Sequence, residues 1–309
     1  MKGLAVAEVL DQAGAVFLER GWLSSNNVLF RHGECNALVD SGYSSHAQQT
    51  LALVEHALSE QPLHLLLNTH LHSDHCGGNA QLQARYPDLK TFIPPGQSDA
   101  VTQWDEGALT YRQTGQSCSR FTHTGLLTPG SVVRLGPMDW EVHGAKGHDP
   151  HAVVLFQPDL CILISADALW GNGFGVVFPE LEGVAAFDEV AETLDLIAQL
   201  APQTVIPGHG PIFQDVESAL ERARSRLQQF RSSPAQHRRY AMKVLIKFRL
   251  LEWQRIPWHD LRQWALQTPY LADVMPKEAH AADAWLSDLL SELAHAQAID
   301  RRGDIIYNR

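Results

Sequence analysis

The feature that most constrains this chain is a pattern repeated at four places: a short apolar run breaks off at a residue able to bind a metal. "PLHLLLNTH" runs into a loop holding His70, His72, Asp74 and His75, and the run ending near His143 precedes His148. "LCILISAD" stops on Asp167, and "TVIPGHG" delivers His209 between Gly208 and Gly210. Short apolar runs bounded by turn residues read as buried strands. Any fold for this chain must therefore bring the ends of several strands to one point.

The first of these loops, "HLHSDH", packs three histidines and an aspartate into the six residues from His70 to His75. Neutral imidazole and carboxylate are the ligands preferred by zinc and similar divalent ions. His70 and His72, two apart on extended chain, point the same way and can reach one ion. Asp74 and His75 follow the turn and can face a second, and Gly77 and Gly78 let the backbone leave the loop at angles other residues resist. A catalytic ion needs about three protein ligands and an open position for water. The arithmetic gives one ion to His70, His72 and His148 and another to Asp74, His75 and His209. Asp167, with two oxygens, bridges them.

Around these donors the pattern predicts an antiparallel hairpin in "AVFLERGWLSSNNVLF", a third strand ending at Ser41 and Gly42, and a helix capped by Ser44 or Ser45. A strand, a short helix closed by Pro87 and the strand "LKTFIPP" follow. Residues 96–125 are poor in regular signals and are expected to form a lid or insertion. Four short strands from Ser131, the amphipathic helix "FDEVAETLDLIAQLAP" and a last strand complete the unit. Hairpins imply antiparallel neighbours, so an α/β fold of two mixed β-sheets flanked by helices is expected rather than a doubly wound parallel sheet. A boundary near Pro211 to Asp215 divides the chain into a catalytic domain, 1–215, and a small, mainly helical domain, 216–309. The latter reads as helix from Val216 to about Trp253, two further helices and a hairpin at Gly303.

"HLHSDH", "GHDPH", "SAD" and "PGHG", in that order, resemble the metallo-β-lactamase superfamily, in its glyoxalase II-like and β-lactamase-like protein branches. The resemblance covers roughly residues 1–215. It implies an αββα sandwich with a hydrolytic site of one or two metals, and gives the ligand role to the same seven residues: His70, His72, Asp74, His75, His148, Asp167 and His209. It further implies that Asp74 orients the nucleophilic water. Two divalent ions are expected, zinc first, with iron or manganese as alternatives. The tail resembles a small winged-helix-like unit, with "AIDRRGDIIYNR" as its wing.

For the substrate pocket, Tyr111, Arg112, Arg120 and His123 in the irregular segment are candidates, as is His151 beside His148. Trp170, Phe174 and Phe178, which follow the bridging aspartate, are expected to form an apolar wall. The net charge of −11 conceals an asymmetry: residues 1–215 carry −15 and residues 216–309 carry +4, with ten basic residues between Arg222 and Arg255. Phosphate binding would gain from that basic stretch. It would lose from the acidic catalytic unit and from the lack of an aromatic stacking series. The expected substrate is therefore a small ester, thioester or lactone; a metal-dependent endoribonuclease or phosphodiesterase and a single-iron dioxygenase are the alternatives. Four widely spaced cysteines without a CxxC argue against a disulfide framework or thiolate zinc site. No 18-residue apolar run predicts a membrane span. Glu8, Asp11 and Glu19 interrupt the N-terminal apolar residues, so the chain reads as cytoplasmic.

Overall fold

A computed structural model describes residues 4–33 and 35–309. After helix α1 (Val6–Gln12), strands β1 (Ala15–Leu18), β2 (Asn27–Phe30) and β3 (Ala37–Val39) pair antiparallel in chain order. Helix α2 (Ala47–Leu58) then crosses over the sheet, so β4 (Leu65–Leu67) lies parallel to β3. The short helices α3 (Ser73–Cys76) and α4 (Asn79–Arg85) precede β5 (Lys90–Ile93); α5 (Ser98–Gln103) and α6 (Tyr111–Thr114) precede β6 (Gly125–Leu126). The result is a six-stranded mixed sheet in the order β1-β2-β3-β4-β5-β6.

The second sheet holds β7 (Val132–Leu135), β8 (Met138–Gly144), β9 (Val153–Gln157), β10 (Ile162–Ala166) and β11 (Thr204–Pro207), in the order β11-β10-β9-β8-β7. Helix α7 (Phe187–Leu200) links β10 to β11 and makes that pair parallel; the others are antiparallel.

Burial on both faces explains why β9 and β10 read as unbroken apolar runs. Successive residues still separate by face. Val153, Leu155, Ile162 and Ile164 join Phe30, Val39, Leu67 and Trp140 between the sheets. Val154, Phe156 and Leu163 turn outward to Leu194 and Ile197 of α7. The outer face of the first sheet is covered by Leu51 and Val54 of α2 and Leu82 of α4.

The C-terminal stretch contains α8 (Val216–Ser232), α9 (Pro234–Trp253), β12 (Arg255–Pro257), α10 (Trp258–Gln267), α11 (Pro269–Val274), α12 (Ala279–His295) and the hairpin β13 (Ile299–Arg302) with β14 (Ile305–Asn308). Strand β14 sits between β12 and β13. This is the helices-then-wing order expected for the tail, with β12 as a strand the sequence reading did not include; α1 is another such element. The helix expected to run from Val216 to Trp253 breaks at Ser233, because Pro234 supplies no backbone donor and starts α9 instead.

Packing also places the change of core later than residue 215. Ala219, Leu220, Ala223, Leu227 and Phe230 of α8 share an apolar cluster with α7, whereas the tail's own core begins at Ala241. Residues 96–125, expected as a lid or an insertion, carry α5, α6 and the first residue of β6, and bury Val101, Leu109, Tyr111 and Phe121 against Leu71 and Ile93. Among the described residues no helix is long and apolar enough to cross a membrane.

Trp140 is fully buried between the sheets and meets Phe30 edge to face at 5.2 Å. Trp140→Ala is expected to cost about 3–5 kcal/mol by chemical denaturation. A loss under about 1 kcal/mol would contradict a core shared by both sheets.

Candidate metal centre

The chain delivers donors from four places. His70 and His72 leave β4; Asp74 and His75 lie on α3, which begins directly after His72. His148 comes from the loop between β8 and β9, while Asp167 and His209 follow β10 and β11. The donor atoms of His70, His72 and His148 all lie within 4.8 Å of one another, as do those of Asp74, His75 and His209. Asp167 faces both groups. Its Oδ2 is 3.4 Å from His148 Nε2, and its Oδ1 is 3.4 Å from His75 Nε2 and 3.8 Å from His209 Nε2. Within the groups, His72 Nδ1 approaches His148 Nε2 at 2.8 Å and His209 Nε2 approaches Asp74 Oδ2 at 3.1 Å.

Backbone features hold these side chains. Ala166 adopts the left-handed region (φ 46°) where the β10–β11 register shifts, which turns Asp167 out of the strand and into the site. A Cβ on Gly208 would collide with Asp167 Oδ1, so only glycine lets β11 run this close. Asn26 clamps the His209 loop: its backbone N–H donates to Gly208 O (2.7 Å), and its side-chain amide donates to Pro207 O (3.0 Å) and Gly210 O (2.8 Å). His148 Nδ1 donates to Val176 O, which leaves Nε2 free to bind.

Asp40 was absent from the sequence reading. It accepts hydrogen bonds from the Thr69 N–H (2.9 Å) and hydroxyl (2.8 Å), and its Oδ2 accepts one from His75 Nδ1 at 2.8 Å. That contact fixes the His75 tautomer and aims Nε2 at Asp167. A signal existed in "NALVDSG", where an acid ends an apolar strand just as Asp167 does.

The electrostatics suit a cation. Nε2 of His70 and Nε2 of His75 are buried without a hydrogen-bond partner, an arrangement that is costly in a folded protein and that a bound ion relieves. Burial, then the neighbouring imidazoles, push His70 well below its usual pKa; burial followed by His148 brings His72 to about 4. Both are therefore neutral at physiological pH, the form that ligates. Burial opposes charge on Asp74 and Asp167, but the surrounding histidines outweigh it and hold both below the usual carboxylate range. At His75 burial is likewise outweighed, here by Asp40 and Asp167, whose carboxylates draw positive charge to this point. The donor set suits divalent metal ions.

The expected substrate residues divide. Trp170 and Phe178 line the cavity over the ligands; the Trp170 indole donates to Asp167 Oδ1 at 3.1 Å, and Phe178 meets His72 edge-on at 4.8 Å. Phe174 instead packs inward against Phe230, and Tyr111 is buried with its hydroxyl 3.1 Å from Cys76 Sγ. Arg112 and Arg120 are exposed, Arg120 donating to Thr102 O, and His123 is half-buried in the same segment. None of these five lines the cavity: Tyr111 is buried against the first sheet, and the segment that carries four of the five reaches the cavity through Thr114 and Gln116 instead. His151 lines a separate cleft on the far side of His72. Trp22, in the β1–β2 loop, and Tyr240, Val244, Leu245 and Phe248 of α9 also line the cavity, as do Gly175 and Val176, and were not anticipated. Trp22 stacks on the His209 ring at 5.4 Å.

A model of the Metallo-beta-lactamase superfamily matches residues 20–209, and the chain belongs to that superfamily. A hydroxyacylglutathione hydrolase of Pectobacterium carotovorum subsp. carotovorum is 28% identical over 60% of this chain and 59% of its own length. The chain spans about half the length of the curated relatives it matches. Among solved structures, a metallo-beta-lactamase family protein from Thermus thermophilus shares the fold over 96% of this chain and 99% of its own, with a TM-score of 0.56 at 19% identity. TTHA1623, solved in a di-iron-bound form, aligns over 67% of this chain and 96% of its own with a TM-score of 0.51 and 25% identity.

Asp40→Asn is expected to weaken metal binding about 10–100-fold, read by competition with a chromogenic chelator. Unchanged affinity would show that the Asp40 contact does not position His75.

Proposed function

We propose that the protein is a metal-dependent hydrolase acting on a small ester, thioester or lactone at a two-metal site, with zinc as the first candidate. The observation that carries this reading is Asp167, whose two oxygens face two separate groups of donors. His70, His72 and His148 would hold one ion; Asp74, His75 and His209 the other, with Asp167 shared. Such ions, when bound, lower the pKa of water to about 7 and polarise a carbonyl oxygen. Asp74, whose Oδ2 lies 3.1 Å from His209 Nε2, would orient the attacking water and receive its proton. The Trp170 indole keeps the Asp167 carboxylate turned toward the ligands, and Phe178 and Trp22 line the cavity over them. The relatives named hydroxyacylglutathione hydrolase, a thioesterase activity, support the same class.

Less supports a nuclease. Arg224, Arg231, Arg239, Lys243 and Arg249 each hold an acidic partner within the chain. Helix α12, which precedes the wing, carries Asp283, Asp288 and Glu292 and no lysine or arginine. A phosphate backbone would meet carboxylates there. A single-iron dioxygenase would leave Asp74 and His75 without a role.

The test is hydrolysis by the zinc-loaded protein of acyl thioesters, lactones and a labelled single-stranded RNA, with Asp167→Ala beside it. Turnover of a thioester or lactone, falling to the uncatalysed rate in Asp167→Ala while circular dichroism is unchanged, is the expected outcome. Cleavage of RNA alone, or full activity in the variant, would contradict the reading.

A further inference from the structure

Over His72, Asp74, His148, Asp167 and His209 the protein leaves a space of only about 90 Å³, enough for a reacting group and little more. Beside that space lies a groove of about 420 Å³ between the sandwich and the tail. Trp22, Trp170, Tyr240, Val244 and Phe248 line both, so the two adjoin. Leu251, Leu293 and Ala296 extend the groove outward.

Its charged residues are Lys243, Lys247 and Glu292, and each is engaged. Lys243 Nζ donates to Glu292 Oε2 at 2.8 Å. Lys247 Nζ donates to Ala298 O (2.7 Å), Asn308 Oδ1 (2.6 Å) and Arg309 O (2.8 Å). A glutathione arm carries two carboxylates and an ammonium; in this groove Lys247, whose acceptors include no side-chain carboxylate, could pair with one of them, and the other two charges would shed water without gaining an ionic partner, which is unfavourable. An apolar chain has no such cost and would cover Trp22, which stands 56% exposed at the junction of the two spaces.

A second cleft beside His72 is more polar than the groove. It measures about 470 Å³ and is lined by Gln97, Asp149, His151, Glu182 and Glu189 among others. Phe178, Pro179, Val184 and Tyr270 share that lining, so the cleft is mixed, and its carboxylates suit a polar leaving group better than the groove does.

We infer that the groove between Trp22, Trp170 and α9 holds the acyl chain of the substrate, making the preferred substrates apolar acyl thioesters, esters or lactones instead of glutathione conjugates. The inference rests on the hydrolase reading above. On hydrolysis water adds to the carbonyl carbon and the bond to sulfur or oxygen breaks: a thioester or ester releases its thiol or alcohol with a proton, on the side of the second cleft, while the acid keeps its chain in the groove, and a lactone opens to a single hydroxy acid.

Calorimetric titration of the zinc-loaded full chain with straight-chain carboxylates from butyrate to dodecanoate tests the groove apart from turnover. Each buried methylene is worth about 0.8 kcal/mol, so Kd is expected to fall about fourfold per methylene until the groove is full. Ala296→Trp, at an exposed position on the outer rim, is expected to weaken decanoate at least about tenfold more than butyrate, and Val244→Trp to impose an earlier limit. Affinity independent of chain length would overturn the inference. So would faster hydrolysis of a hydroxyacyl-glutathione thioester than of a decanoyl thioester, an outcome that leaves the hydrolase reading standing. Length-dependent binding without turnover of any acyl substrate would instead overturn the hydrolase reading.

Discussion

The carboxylate of Asp167 is the contact on which the rest depends. A buried carboxylate is costly unless opposite charge or strong donors surround it. Here one oxygen faces His148, and the other faces His75, His209 and the Trp170 indole. Assembling those partners requires the ends of β4, β10 and β11 and the β8–β9 loop to meet, which two sheets packed face to face provide. The β10–α7–β11 crossover makes β11 parallel to β10, so Asp167 and His209 leave neighbouring strands at the same end. Gly208 and the left-handed Ala166 are the local concessions that the close approach demands.

The tail acts on the site rather than beside it. Helix α8 is part of the core that covers the second sheet, and α9 places Tyr240, Val244 and Phe248 at the rim of the ligand cavity. Its basic residues, conspicuous in the sequence, are largely spent within the chain, on Glu292, Glu252 and backbone carbonyls. What α9 presents to the site is apolar. Charge counted along a sequence therefore gives a poor picture of what a ligand meets here.

The donor loops were legible because their chemistry is local: a strand, a turn and a histidine or aspartate next to one another in the chain. The two mixed sheets followed from the same runs. Asp40 and Trp22 were harder, since Asp40 matters through a contact with His75, 35 residues away, and Trp22 through a stack on His209. The wall after Asp167 shows the same limit. Phe174 and Phe178 lie four apart in a stretch without a strand or a long helix, so no periodicity tells which ring turns to the core and which to the ligands. Tyr111 was ambiguous in another way; its segment carried weak local signals, yet long-range contacts with Leu71 and Ile93 fold it into the first layer.

Two groups of donors share one aspartate, and the most direct measurement of that arrangement is anomalous scattering at the zinc edge from crystals of the zinc-loaded protein. Two peaks are expected, one among His70, His72 and His148 and one among Asp74, His75 and His209, with Asp167 between them. A single peak, or ions held elsewhere on the chain, would contradict it.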